Sequence, residues 1–266
     1  MELLGLVAQL EHLAFARLAA DAAVAPTLEQ RLALSRFAAE AVARRDRVVA
    51  RIIELDADPV RALGQFEHVL DDFDARTQPS TWWERLLKAY VGYGVADDFC
   101  RLAAEGLDER SREVVLEVLD DASHSELAVA ELDAAGSDDG VLTARLALWG
   151  RRLVGEALGV VQRLIVQRPA LARLLQQGQP ATQNSGTAAQ ETSRTAAGAA
   201  VTAGAAVAAA AEASAARDGS AQGATAEAAP QVQAPANPTA KSATSKVINQ
   251  LTAQHTRRMS RLGLTA

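Results

Sequence analysis

The chain has 266 residues, 33 acidic and 27 basic side chains, and a formal net charge of −6. That balance gives no general attraction to nucleic acid, so a nucleic-acid partner would need a local basic patch. Apolar residues make up 49% of the chain but aromatics only 4%, so Ala, Leu and Val carry the hydrophobic content. This composition suits packed helices rather than strands. The single cysteine, Cys100, excludes an internal disulfide and a cysteine-rich metal site, and is expected to pack as a small hydrophobe.

The first residues, Met1-Glu-Leu-Leu-Gly-Leu6, lack the basic region of a signal peptide. No run of about twenty large apolar residues follows. A soluble, cytoplasmic protein with no membrane partner is expected.

The first helix is predicted over Glu2–Val24, with Leu4, Val7, Glu11, Phe15 and Leu18 on one face. Glu11 thus falls inside an apolar stripe, where a carboxylate must be paired, protonated or metal-bound. After Pro26, Thr27-Leu-Glu-Gln30 fits a capping box for a second helix reaching about Leu55. Its inward face is Leu34, Phe37, Ala41, Val48 and Ile52, with Glu40 at the border. Glu40 and Arg44 have the spacing of an ordinary ion pair. Arg44, Arg45, Arg47 and Arg51 form a basic stripe, which reads as a solvated face and is the one candidate surface for a nucleic acid.

Asp58-Pro59 starts a shorter helix, Val60 to about Asp72, with His68 exposed. Thr81 caps the next helix, which runs to about Ala104 and buries Trp83, Leu87, Tyr90, Val91 and Gly94. Gly92 and Gly94 cost helix stability, which points to close packing there. One of Asp97 and Asp98 can turn inward. A further helix is predicted from Asp108 to just before Gly136, and it carries Asp121 and His124 three residues apart. On one helix these two share a face, and such a pair can hold a metal ion or be a plain Asp–His pair on a solvated surface.

The helix predicted over Gly140–Arg168 turns Leu142, Leu146, Trp149, Leu153, Val160 and Leu164 inward. Glu156 shares that stripe and is expected to pair with an arginine of another helix. Residues 176–243 hold almost no large apolar side chain and read as a disordered linker. A final amphipathic helix over 244–266 presents Ile248, Leu251, His255, Met259 and Leu262, ends at Gly263, and is expected to dock on the bundle. His255 reads as a satisfied core histidine. The organisation expected is therefore an all-α antiparallel bundle over 1–175, with extra helices, a linker, and a tethered C-terminal helix.

Several segments together carry a resemblance: Ala25-Pro-Thr-Leu28, Lys88-Ala-Tyr-Val-Gly92, Leu116-Glu-Val-Leu-Asp-Asp-Ala-Ser-His124, Leu146-Ala-Leu-Trp-Gly-Arg-Arg-Leu-Val-Gly-Glu-Ala-Leu158, and Leu251-Thr-Ala-Gln-His-Thr-Arg-Arg-Met-Ser-Arg-Leu-Gly-Leu264. The chain resembles the actinobacterial ferritin-like proteins grouped with MiaE-like tRNA hydroxylases. The resemblance implies a ferritin-like bundle whose relatives bind two irons and use dioxygen, with a redox partner, to hydroxylate a modified adenosine in tRNA. By position it makes Glu11, Glu40, Asp121 and His124 the metal ligands. The pattern is incomplete here: Ala43 stands where a histidine is expected and Tyr93 where an acid is expected. Homo-oligomerisation is open. A non-catalytic ferritin-like scaffold or interaction protein that binds no metal is the alternative.

Overall fold

A computed structural model describes residues 1–120, 123–178 and 238–264, apart from the side chains of 123, 124, 138 and 238–243. Among the described residues the regular structure is helical. The elements are α1 (Glu2–Val24), α2 (Leu28–Glu54), α3 (Pro59–Gly64), α4 (Asp71–Arg76) and α5 (Trp82–Leu87), then a π-helix (Lys88–Tyr93) and α6 (Gly94–Ala104). After these come α7 (Glu109–Leu119), α8 (Ser123–Asp138), α9 (Gly140–Gln167), α10 (Pro169–Gln177) and α11 (Pro238–Arg261).

Local chemistry sets many of the boundaries. Pro26 separates α1 from α2, and the capping box forms reciprocally: Gln30 N–H donates to Thr27 Oγ1 and Thr27 N–H to Gln30 Oε1, each at 3.2 Å. Thr81 accepts from Glu84 N–H to start α5. Asp139 Oδ1 accepts from Val141 and Leu142 N–H, both at 2.9 Å, to start α9. Gly263, at φ +63°, follows α11 with the left-handed backbone that glycine adopts at no steric cost. The short turn of Ala25–Thr27 folds α1 and α2 into an antiparallel hairpin that packs along its length.

The main core gathers Leu3, Leu4, Leu6 and Val7 of α1, Val48 and Ile52 of α2, residues between Leu87 and Ala104 of the central rod that α5, the π-helix and α6 form end to end, and residues between Leu153 and Ile165 of α9. A smaller cluster, Leu18, Ala25, Leu34, Ala38 and Ala41, sits near the hairpin turn. Cys100 is fully buried, as its small apolar character demands. Within the same unit as the bundle, α11 buries Val247, Leu251, His255 and Met259, and Leu262 just after it is buried as well.

Four differences from the sequence expectations matter. The helix expected from Val60 to Asp72 is two short helices, α3 and α4, separated by turns. The helix expected from Thr81 to Ala104 contains the π-helix, so its backbone widens for six residues. The helix expected from Asp108 to Gly136 is two: α7 ends at Leu119, Asp120 lies in a turn, and α8 begins at Ser123. The last helix starts at Pro238 rather than near Thr244. One described helix, α1, is long and apolar enough to cross a membrane by length and composition, and half of its most apolar window is buried inside the bundle.

Candidate functional site

Glu11 lies on the buried face of α1 and is 8% exposed. The antiparallel hairpin brings Arg44 of α2, itself 4% exposed, directly opposite, and its Nε donates to Glu11 Oε2 at 2.9 Å. Burial disfavours the charged carboxylate and raises the Glu11 pKa from 4.5 to about 7. The Arg44 guanidinium opposes that rise, and the carboxylate of Asp97 adds to it.

Glu40 is exposed and does not join this group. The expected Glu40–Arg44 pair is replaced by Glu11–Arg44, and helix geometry gives the reason. Ala41, Val48 and Ile52 define the buried stripe of α2, and Arg44 stands three residues from Ala41 and four from Val48. Glu40 precedes that stripe by one position and faces water. Phe15, expected inward, is also largely outside, at 36% exposure.

The rod formed by α5, the π-helix and α6 supplies more charge. Asp98 is buried and takes a forked ion pair from Arg258 of α11, with Nη2 to Oδ1 at 2.7 Å and Nη1 to Oδ2. The half-buried Asp97 beside it has its pKa raised to about 6 by burial, against the opposing Arg258 charge. On the α1 side, the Arg17 guanidinium lies 4.4 Å from the Tyr93 ring centroid. Buried Asp21 accepts from Arg85 at 2.8 Å.

A second polar knot lies where the π-helix meets α4. Tyr93 Oη donates to Asp74 Oδ1 at 3.1 Å. Lys88, 5% exposed, contacts that same oxygen at 2.7 Å and donates to the Thr77 carbonyl at 3.0 Å. Burial pushes the Tyr93 phenol and the Cys100 thiol well above their ordinary pKa values. Gly92 faces Phe73 so closely that a Cβ there would lie 2.6 Å from Phe73 Cζ. Beside it is an apolar cavity of about 20 Å³, lined by Leu10, Phe73, Gly92, Tyr93, Phe99 and Val161 among others. That is room for about one water molecule, far less than a nucleoside needs.

The chemistry of this donor set can be compared with an iron centre. Two irons in a helical bundle need carboxylate and imidazole lone pairs converging on common points. Here Glu11 gives an oxygen to a guanidinium, Glu40 faces solvent, and Asp98 is engaged at both oxygens by Arg258. Among the described residues no three His, Cys, Asp or Glu side chains are grouped so as to hold a metal ion. Asp121 and the side chain of His124 lie outside the described residues, so the pair expected there is not part of this geometry. Of the four expected ligands, Glu11 and Glu40 have described side chains, and these two do not meet: Glu11 is buried against Arg44 and Glu40 is exposed.

The basic stripe does not present free charge either. Arg45 bonds Asp46 at 2.8 Å, Arg47 bonds Glu117 at 3.0 Å, and Arg51 bonds Glu54 and Asp108 at 2.9 and 3.1 Å. Arg44 is buried. Glu156 meets Arg76 of α4 at 3.5 Å, the inter-helix pairing expected for it.

Residue patterns alone missed Arg44, Lys88 and Arg258 as interior cations. For Arg44 the signal was present, because the apolar series Ala41, Val48 and Ile52 has a gap that only Arg44 or Arg45 can fill. For Lys88 and Arg258 the partners are distant in sequence, and nothing local marks them.

The family model described as the ferritin-like domain of actinomycetes matches residues 1–178, which spans α1 to α10. No curated protein matches the chain. The all-helical architecture agrees with that match, and the chain belongs to the actinomycete ferritin-like domain family.

Proposed function

We propose that this chain is a non-catalytic member of the family, a helical scaffold or interaction protein whose interior carboxylates are neutralised by arginine rather than by metal. The observation that carries the reading is the buried Glu11–Arg44 pair at 2.9 Å. A guanidinium engages one of the two carboxylate oxygens and supplies the positive charge that the buried acid needs. The exposed Glu40 and the paired basic stripe favour this reading over a MiaE-like, iron- and dioxygen-dependent hydroxylase acting on tRNA.

The test is to load the purified full chain with ferrous iron under anaerobic conditions, desalt it, and measure the metal-to-protein ratio. The same is done for Glu11→Ala and His124→Ala. The scaffold reading expects no stoichiometric iron in any of the three. Two irons per chain that disappear in both variants would overturn the scaffold reading, with a tRNA shift assay at low salt as the next step.

A further inference from the structure

The groove between the central rod and α9 is shaped around two consecutive side chains of α11. A Cβ on Gly94 would lie 2.9 Å from Arg258 Nε, and a Cβ on Gly150 would lie 2.4 Å from Met259 Cε and 2.8 Å from its sulfur. Each of these glycines sits in a helix, where it costs about 1 kcal/mol relative to alanine. Each gives its space to a side chain of α11. Arg258 reaches over Gly94 to fork onto Asp98, and Met259 is 5% exposed in its slot beside Leu87.

Three observations make this seat separable from the bundle. α11 begins at Pro238, while α10 ends at Gln177, so α11 is remote in sequence from every helix it packs against. The family domain itself ends at residue 178, before α11 begins. Docking also buries two polar atoms without hydrogen-bond partners, Gln254 Oε1 and His255 Nδ1, a penalty that offsets part of the apolar gain.

We propose that α11 is a detachable strap: its Arg258 and Met259 lock into the Gly94 and Gly150 sockets, and it leaves and re-enters this groove while α1 to α9 stay folded. The forked Arg258–Asp98 pair is the bolt. Release would bare Asp98 and the small-residue groove.

Hydrogen exchange read by mass spectrometry on the intact full chain tests this. The expected result is faster exchange of α11 amides than of α1, α2 and α9 amides in the wild type. Arg258→Ala should speed α11 exchange a further ~10- to 100-fold, the worth of a charge-assisted hydrogen bond, and leave α1 and α2 unchanged. Gly150→Ala, which closes the Met259 slot from the bundle side, should act on α11 in the same way. The proposal is overturned if α11 exchanges at the rate of α1 and α2 in the wild type. It is equally overturned if either variant accelerates the whole bundle together.

Discussion

Tyr93 and Asp74 are joined by a 3.1 Å hydrogen bond from the phenol to Oδ1, and that oxygen also receives Lys88 at 2.7 Å. The π-helix delivers both partners, since Lys88 opens it and Tyr93 closes it. Tyr93→Phe removes one hydrogen bond and should cost about 1 kcal/mol. Asp74→Ala leaves the buried Lys88 ammonium with only the Thr77 carbonyl among these contacts, and should cost about 2 kcal/mol or more. Urea denaturation of the two variants checks the order: Asp74→Ala must be the more damaging.

Stability should also depend on pH through Glu11. Its pKa is raised from 4.5 to about 7 in the folded protein, so its contribution is fully present below pH 4.5 and is lost as pH rises through about 7. Asp97, raised from 3.8 to about 6, acts in the same direction over a lower window. His255 opposes both: its pKa is lowered from 6.5 to about 4 by burial, so stability falls as pH drops below 6.5. Comparing wild type with Glu11→Gln isolates the first effect. The stability difference, wild type minus variant, should shrink by on the order of 2–3 kcal/mol between pH 4.5 and 8. Unfolding midpoints across that range provide the measurement.

The docking of α11 yields a substitution that should help. His255 is buried, as expected of a core histidine, but its Nδ1 has no hydrogen-bond partner. His255→Leu removes that cost and keeps an apolar side chain on the docking face. The variant should hold α11 more tightly, by about 1 kcal/mol, seen as slower amide exchange confined to that helix.

What could be read from the residues, and what could not, divides along one physical line. Boundaries set by local chemistry were legible: the Thr27–Gln30 capping box, the Thr81 cap, the start of α9 near Gly140, and Gly263 after α11. The glycines at 92 and 94 were rightly read as marks of close approach. Features imposed by distant contacts were not legible. The π-helix packs its Gly92 against Phe73, nineteen residues earlier in sequence, and no periodicity announces it. Asp98 finds a partner 160 residues away. The break between α7 and α8 falls within a pattern that runs on as helix when only apolar spacing is counted. Glu11 was correctly singled out as a carboxylate needing an answer, but the answer came from Arg44, which its three arginine neighbours had disguised as part of a solvated stripe.

Whether Glu11 is held by Arg44 is measured directly by a double-mutant cycle. Glu11→Ala, Arg44→Ala and the double variant are unfolded in urea at pH 8, with and without a strong chelator. The prediction is that each single variant is destabilised by about 3 kcal/mol, that the double variant is much less so than the sum, and that chelation changes nothing. Additive losses with no coupling, together with a wild-type stability that collapses in chelator, would contradict it.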